Sequence, residues 1–177
     1  MRMLGPRQCW RPDSSWLVEQ KPSNRRRPRK IRSTSFRRKM PFNVPYGAPI
    51  SLQKAQDAIV AAVAEANKHG WLLNVAVVDS GGNLVTFARM DGAQLASISI
   101  AEHKARAAAR YRRPTRVFED AVQKGIIYIA TLDDVIASRG GIPLIEDGKI
   151  IGAIGCSGAT GSQDEVVCTA GAGTINK

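Results

Sequence analysis

This 177-residue chain is poor in the residues that usually carry chemistry. It has two histidines, His69 and His103, three cysteines, Cys9, Cys156 and Cys168, and only 6% aromatic residues. Cys156 and Cys168 lie twelve positions apart, with no second cysteine or histidine at zinc spacing, which excludes a structural zinc site. Two cysteines in this part of the chain make no disulfide framework, and no secretory signal is present. The expectation is two reduced thiols packed as small core residues. No apolar run approaches the roughly 18 residues of a membrane-spanning helix, so no membrane partner is expected. Nucleophile elbow, P-loop and dinucleotide fingerprint are all missing. The nearest glycine pattern, Gly152-x-x-Gly155-x-x-Gly158, has the wrong spacing for a phosphate cradle.

Charge is present but confined. The formal net charge is +11. Residues 1–40 hold 13 Lys/Arg against two acids, Asp13 and Glu19, and residues 41–177 hold 13 of each sign. The basic character therefore belongs to the first 40 residues, and the rest offers no bulk electrostatic attraction for nucleic acid. Residues 1–40 have basic runs, scattered prolines and no apolar period, and read as a disordered extension. Composition changes at Met40, which favours a true start there and an over-extended 1–39. The alternatives are a mitochondrial-type targeting segment and a basic patch for nucleic acid or nuclear import. Residues 41–177 read as a single domain, cytoplasmic unless 1–39 is a genuine transit peptide.

That domain alternates helical and strand patterns. Ser51 caps a helix over 51–69, with Leu52, Ala55, Ile59, Val63 and Ala66 on one face and Gly70 as its stop. Residues 73–79 and 84–90 form a hairpin around Ser80-Gly81-Gly82-Asn83. An alanine-rich helix follows over 94–111, with Ser97, Lys104 and Tyr111 on one face. Thr115 is placed to cap a short helix over 116–124. Residues 126–138 read as a short strand or irregular stretch and then a single turn. A second hairpin joins 142–145 to 150–156 through Asp147-Gly148. Ser162 is expected to cap a last helix over 162–172, with Asp164 and Glu165 in its first turn. Two hairpins with helices between them predict an antiparallel sheet covered by helices, an α+β fold.

The candidate site residues are few. His69 and His103 are weak metal candidates; a helix end suits His69 as a capping cation, and a solvated helix face suits His103. Asp79, Arg89, Asp91, Lys104 and Asp164 flank glycine-rich turns, where surface ion pairs explain them as well as catalysis does. From the residues alone no reaction can be named.

Three stretches taken in order, AVVDSGGNLVTFARMDGA, SISIAEHKARAA and GGIPLIEDGKIIGAIGCSGATGSQDE, resemble the haem-binding/haem-degrading domain of the GlcG/HbpS type, which also forms the C-terminal part of PduO-type proteins. The resemblance covers about 50–175. It implies a profilin-like α+β fold with a central antiparallel sheet, and a homo-oligomer from dimer to octamer. It also implies haem, or a small anionic ligand such as an organic acid of glycolate or propanediol-type metabolism, as the partner; the alternative is a non-catalytic structural or accessory module whose glycine-rich strand serves assembly. Its pattern matches at Arg89, Lys104, Ser157, Gly158 and Asp164. Lys104 and Arg89 would meet a haem propionate or another anion, and the Ser157–Asp164 turn would form one side of the site. Ala107 stands where the family pattern has threonine. The resemblance places no iron ligand and names no catalytic residue.

Overall fold

The structure is a computed structural model, and it describes residues 43–176. The readings of residues 1–40 lie outside the described residues. Helix α1 spans Leu52–His69. Strands β1 (Asn74–Asp79) and β2 (Leu84–Arg89) form the first hairpin. Helices α2 (Ser97–Tyr111) and α3 (Arg116–Gln123) follow, then a 3-10 turn over Ile127–Thr131. Strands β3 (Gly141–Glu146) and β4 (Lys149–Ser157) form the second hairpin, and α4 (Gly161–Ala172) closes the described order. All pairings in the four-stranded sheet are antiparallel, in the order β2-β1-β4-β3. This is the α+β architecture that the element order predicts.

Alternation along the strands sorts side chains to two faces. Val75, Val77, Ile154 and Cys156 join Ala55, Ala58, Ala62, Val167 and Cys168 in a core between the sheet and α1 with α4. Ala76, Val78 and Ala153 pack on the other face against Ala101, Ala105 and Ala108 of α2. The alanine-rich composition of α2 has a direct cause. A Cβ at Gly155 would strike the carbonyl of Ala101 and come within 2.5 Å of the Ala105 nitrogen. Helix and strand thus touch backbone to backbone, and only small residues permit that separation.

The ends of the elements differ from expectation in three places, each for a local reason. Helix α2 begins at Ser97, because Gln94 and Leu95 are taken up by a tight turn whose carbonyls accept from the Ser97 and Ile98 amides. Thr115 makes no side-chain cap on α3; its hydroxyl accepts from the Gly141 amide at 2.9 Å and ties α3 to β3. Thr160, not Ser162, caps α4, in a reciprocal box with Gln163. Residues 126–138 contain the 3-10 turn and no strand. Both hairpins fall where the turn residues place them. Asp147 and Gly148 both have positive φ, 49° and 70°, the backbone that a two-residue turn between twisted strands requires.

Candidate functional site

The sequence-selected residues gather at one end of the sheet. Arg89, Asn74 and Ser157 are direct partners across β2, β1 and β4, so they form one row on one face. The face is the one that carries Ala76 and Ala153, toward α2. Arg89 is exposed and forms no ion pair among the described residues. Asn74 is fully buried. Its Nδ2 donates to the Gln94 carbonyl at 3.1 Å, while its Oδ1 has no hydrogen-bond partner. The Gln94 amide in turn donates to the Ser97 hydroxyl at 2.6 Å. An unpartnered buried acceptor is costly, on the order of 1–3 kcal/mol, so Asn74 is set up to receive a donor. Leu72, two residues before Asn74, and Leu95, which follows Gln94, are exposed and leave an apolar rim near this end.

Gly158 turns the chain away from the row. Its φ is 153°, and a Cβ there would strike the Leu72 carbonyl and the Leu73 Cα at 2.8 Å. A side chain would push β4 and the entry to β1 apart, so glycine is a geometric requirement here.

Lys104 and Asp164 lie beneath the same end and meet each other. The Lys104 ammonium donates to Asp164 Oδ2 at 2.7 Å and to the Cys156 carbonyl at 3.1 Å, with the two side chains 1% and 3% exposed. The Ala159 amide donates to Asp164 Oδ1 at 3.1 Å. Burial raises the Asp164 carboxyl above its ordinary value, opposed by the Lys104 charge and then by its hydrogen bonds. The ammonium that the sequence offers to an anion is therefore engaged with the turn leading into α4. Lys104 and the Ser157–Asp164 turn are neighbours, as the sequence places them, and within this chain they face each other.

His69 stacks on Trp71, with ring centroids 4.3 Å apart, and its Nε2 pairs with Glu65 at 3.1 Å. His103 is half-buried on α2. No group of three His, Cys, Asp or Glu residues among the described residues is placed to hold a metal ion.

Three features escape the sequence. Asn74 hides in an apolar strand run, and only its polarity among valines signals it. Arg139 joins Glu119 at 2.8 Å, Asp120 at 3.1 Å and Glu165 at 3.6 Å, and so fixes the approach to Gly140; no spacing rule connects those positions. Cys156 and Cys168 are paired as a disulfide between β4 and α4, with Cα atoms 5.7 Å apart. The expectation of two separate reduced thiols is corrected: adjacent layers bring together side chains that sequence spacing does not relate.

Haem can be tested against these residues. Arg89 and the apolar rim fit a propionate and the edge of a macrocycle. Asn74 Oδ1 does not fit a carboxylate, since both are acceptors. The cavity lined by Lys54, Asp57, Glu146, Thr174 and Ile175 measures about 260 Å³, lacks histidine and is polar. That is below the roughly 300–1,000 Å³ of sites that enclose a cofactor. That cavity is not the place for a haem, and the fit at the Arg89 row is to an exposed cation.

Comparison with known proteins bears on the family of the chain. The family model described as haem degrading protein HbpS-like matches residues 50–173. Protein GlcG of Escherichia coli K12 is 40% identical over 108 residues, which covers 61% of this chain and 81% of GlcG. A double mutant of Streptomyces reticuli HbpS superimposes with a TM-score of 0.68 at 31% identity, covering 74% of this chain and 90% of that one. A structure described as the PduOC:heme complex superimposes with a TM-score of 0.66 at 28% identity, covering 73% of this chain and 96% of that one. GlcG and HbpS come from bacteria, which lends no support to the mitochondrial alternative.

Proposed function

Because the chain belongs to the haem degrading protein HbpS-like family, we propose that it binds haem or a related tetrapyrrole at the Arg89–Asn74–Ser157 end of the sheet and works as a homo-oligomer. The single observation that carries the reading is Arg89, an exposed cation without an ion pair among the described residues, in register with buried Asn74 and Ser157, with exposed Leu72 and Leu95 close to Asn74 and Gln94 in the chain. The cation meets a propionate and the leucines meet the macrocycle edge. Gly158 and Ser157 set the backbone on which the row rests. Lys104 and Asp164 hold the turn behind it. The surface is open, so a second copy of the chain is needed to cover the ligand, which is the reason for the oligomer, from dimer upward. Haem, when bound, would supply redox chemistry; assistance to its oxidative breakdown is the catalytic half of the proposal, and a cytoplasmic setting its place.

The test is a hemin titration of the full chain, followed by absorbance and by sedimentation. A saturable, sharpened Soret band on an oligomer is expected. Free-hemin absorbance alone across the titration would sink the haem reading. Faster iron release from bound than from free hemin, under peroxide, checks the catalytic half.

Asn74 favours a second reading. If the segment around Gln94 moves aside to uncover Asn74 Oδ1, that acceptor beside an exposed arginine suits a small hydroxy acid, whose hydroxyl donates to Asn74 Oδ1 and whose carboxylate meets Arg89. Calorimetric titration with a 2-hydroxy acid and with its deoxy analogue separates the two readings. Heat with the hydroxy acid alone, and no Soret change with hemin, would favour the second.

A further inference from the structure

The disulfide pair does more than fill core space. Cys156 and Cys168 are both fully buried, with Cα atoms 5.7 Å apart, inside the 4.4–6.8 Å window in which a disulfide forms without backbone movement. The thiol state is provided for as well. The Gly140 carbonyl lies 3.0 Å from Cys168 Sγ, and it already accepts from the Cys156 amide at 2.8 Å. On reduction the two sulfurs separate to non-bonded distance, and that carbonyl is at hand as an acceptor for the Cys168 thiol. One site therefore accommodates both oxidation states.

What the bond joins gives it a consequence. Cys156 is in β4, and its carbonyl accepts from Lys104. Cys168 stands four residues after Asp164 on α4, on the same side of the helix. The bond thus ties the two ends of the segment that carries Ser157, Gly158 and Asp164. We propose that Cys156 and Cys168 form a reversible two-electron redox latch. The disulfide holds α4 closed over the Lys104–Asp164 pair, and the dithiol lets α4 open more readily. The reductant is a small dithiol. One of its sulfurs attacks the bond to give a mixed disulfide, and its second sulfur releases the protein thiol. The protein gains two electrons and two protons, and the dithiol leaves as a cyclic disulfide. Because both sulfurs are buried, the exchange runs through an opened form of α4, and it is slow in the native state.

The test equilibrates the full chain in buffers of reduced and oxidised dithiothreitol of varied ratio. Free thiols are then trapped by alkylation after unfolding and mapped by mass. The expected result is a single transition in which Cys156 and Cys168 change together, whatever the state of Cys9. Closing a loop of this size corresponds to a melting temperature higher by roughly 10 °C in the oxidised protein. Amide exchange over 161–172 should be at least about tenfold faster in the reduced protein, since the bond bears on local opening. The Cys156→Val/Cys168→Ala chain should lose all three responses. The latch is overturned if both thiols stay alkylatable in oxidised buffer, or if the bond survives every reductant ratio until the chain unfolds. Equal melting and exchange in the two states would overturn it too. The mapping on the unaltered chain decides the matter even where the double variant does not fold.

Discussion

The two hairpins are built from similar sequence patterns and end in different circumstances. The second, β3–β4, has its long strand central in the sheet, with α2 against one face and α1 with α4 against the other. It carries the Gly155 contact, the disulfide and the acceptor for Lys104. Each hairpin has one central and one edge strand, but β3 is largely buried, whereas β2 of the first hairpin is half-buried and open, with Arg89 at its end. The turn of that first hairpin is held by Asp79, whose Oδ1 accepts from the Gly81 amide at 2.8 Å and the Asn83 amide at 2.9 Å. Burial sets stability and exposure leaves room for a ligand. A hairpin therefore serves as scaffold in one place and as surface in the other.

Substitutions that exploit this contrast fall in a clear order. Gly155→Val drives a branched side chain into the α2 backbone and should cost more than about 4 kcal/mol, read as loss of the cooperative melting transition. Lys104→Met leaves Asp164 buried without its counter-charge and should cost about 3–5 kcal/mol in urea denaturation. Adding Asp164→Leu should recover most of that loss, because a matched apolar pair needs no charge. If the double variant is no more stable than Lys104→Met, the pair is more than a buried staple.

Asp79 and Asp164 should also respond to pH with opposite sign. Burial raises Asp79, but its backbone and Asn83 hydrogen bonds outweigh burial and hold it below its ordinary value. Its contribution is full above the unfolded carboxyl's pKa and is lost as pH falls through the folded one. For Asp164 the folded value is raised, so the folded state binds the extra proton. Its contribution is present below the unfolded value and is lost as pH rises through the folded one. Asp79→Asn should therefore remove a rise of stability with pH below the unfolded carboxyl's pKa of about 4, and Asp164→Asn a fall of stability with pH above it. Parallel slopes would contradict the assigned environments. Asp79→Ala at pH 7 should cost about 1 kcal/mol, and Leu84→Lys on the open edge should stay within about 0.5 kcal/mol.

Much of the scaffold was legible in the residues themselves. Ser51 and Gly70 bound α1 because their cap chemistry is local. Asp147-Gly148 fixed the second hairpin because its turn demands two positive φ values. Lys104, Ser157, Gly158 and Asp164 came together through the family pattern, yet sequence does not tell whether a lysine on a helix faces solvent or a carboxylate sixty positions away. That depends on packing between layers, as does the pairing of Cys156 with Cys168. Thr115 shows the same limit. Its type and position suit a helix cap, and a strand amide from Gly141 takes its hydroxyl instead.

The central claim is that exposed Arg89 binds and the buried pair supports. The most direct measurement compares hemin titrations of the Arg89→Ala chain and of the Lys104→Met/Asp164→Leu chain, each with its melting curve. The account predicts that Arg89→Ala weakens hemin binding about tenfold, equivalent to about 1.4 kcal/mol, with melting unchanged. The double variant should bind as the unaltered chain does, whatever its melting temperature. Undiminished binding by Arg89→Ala, with binding lost from a folded double variant, would contradict it.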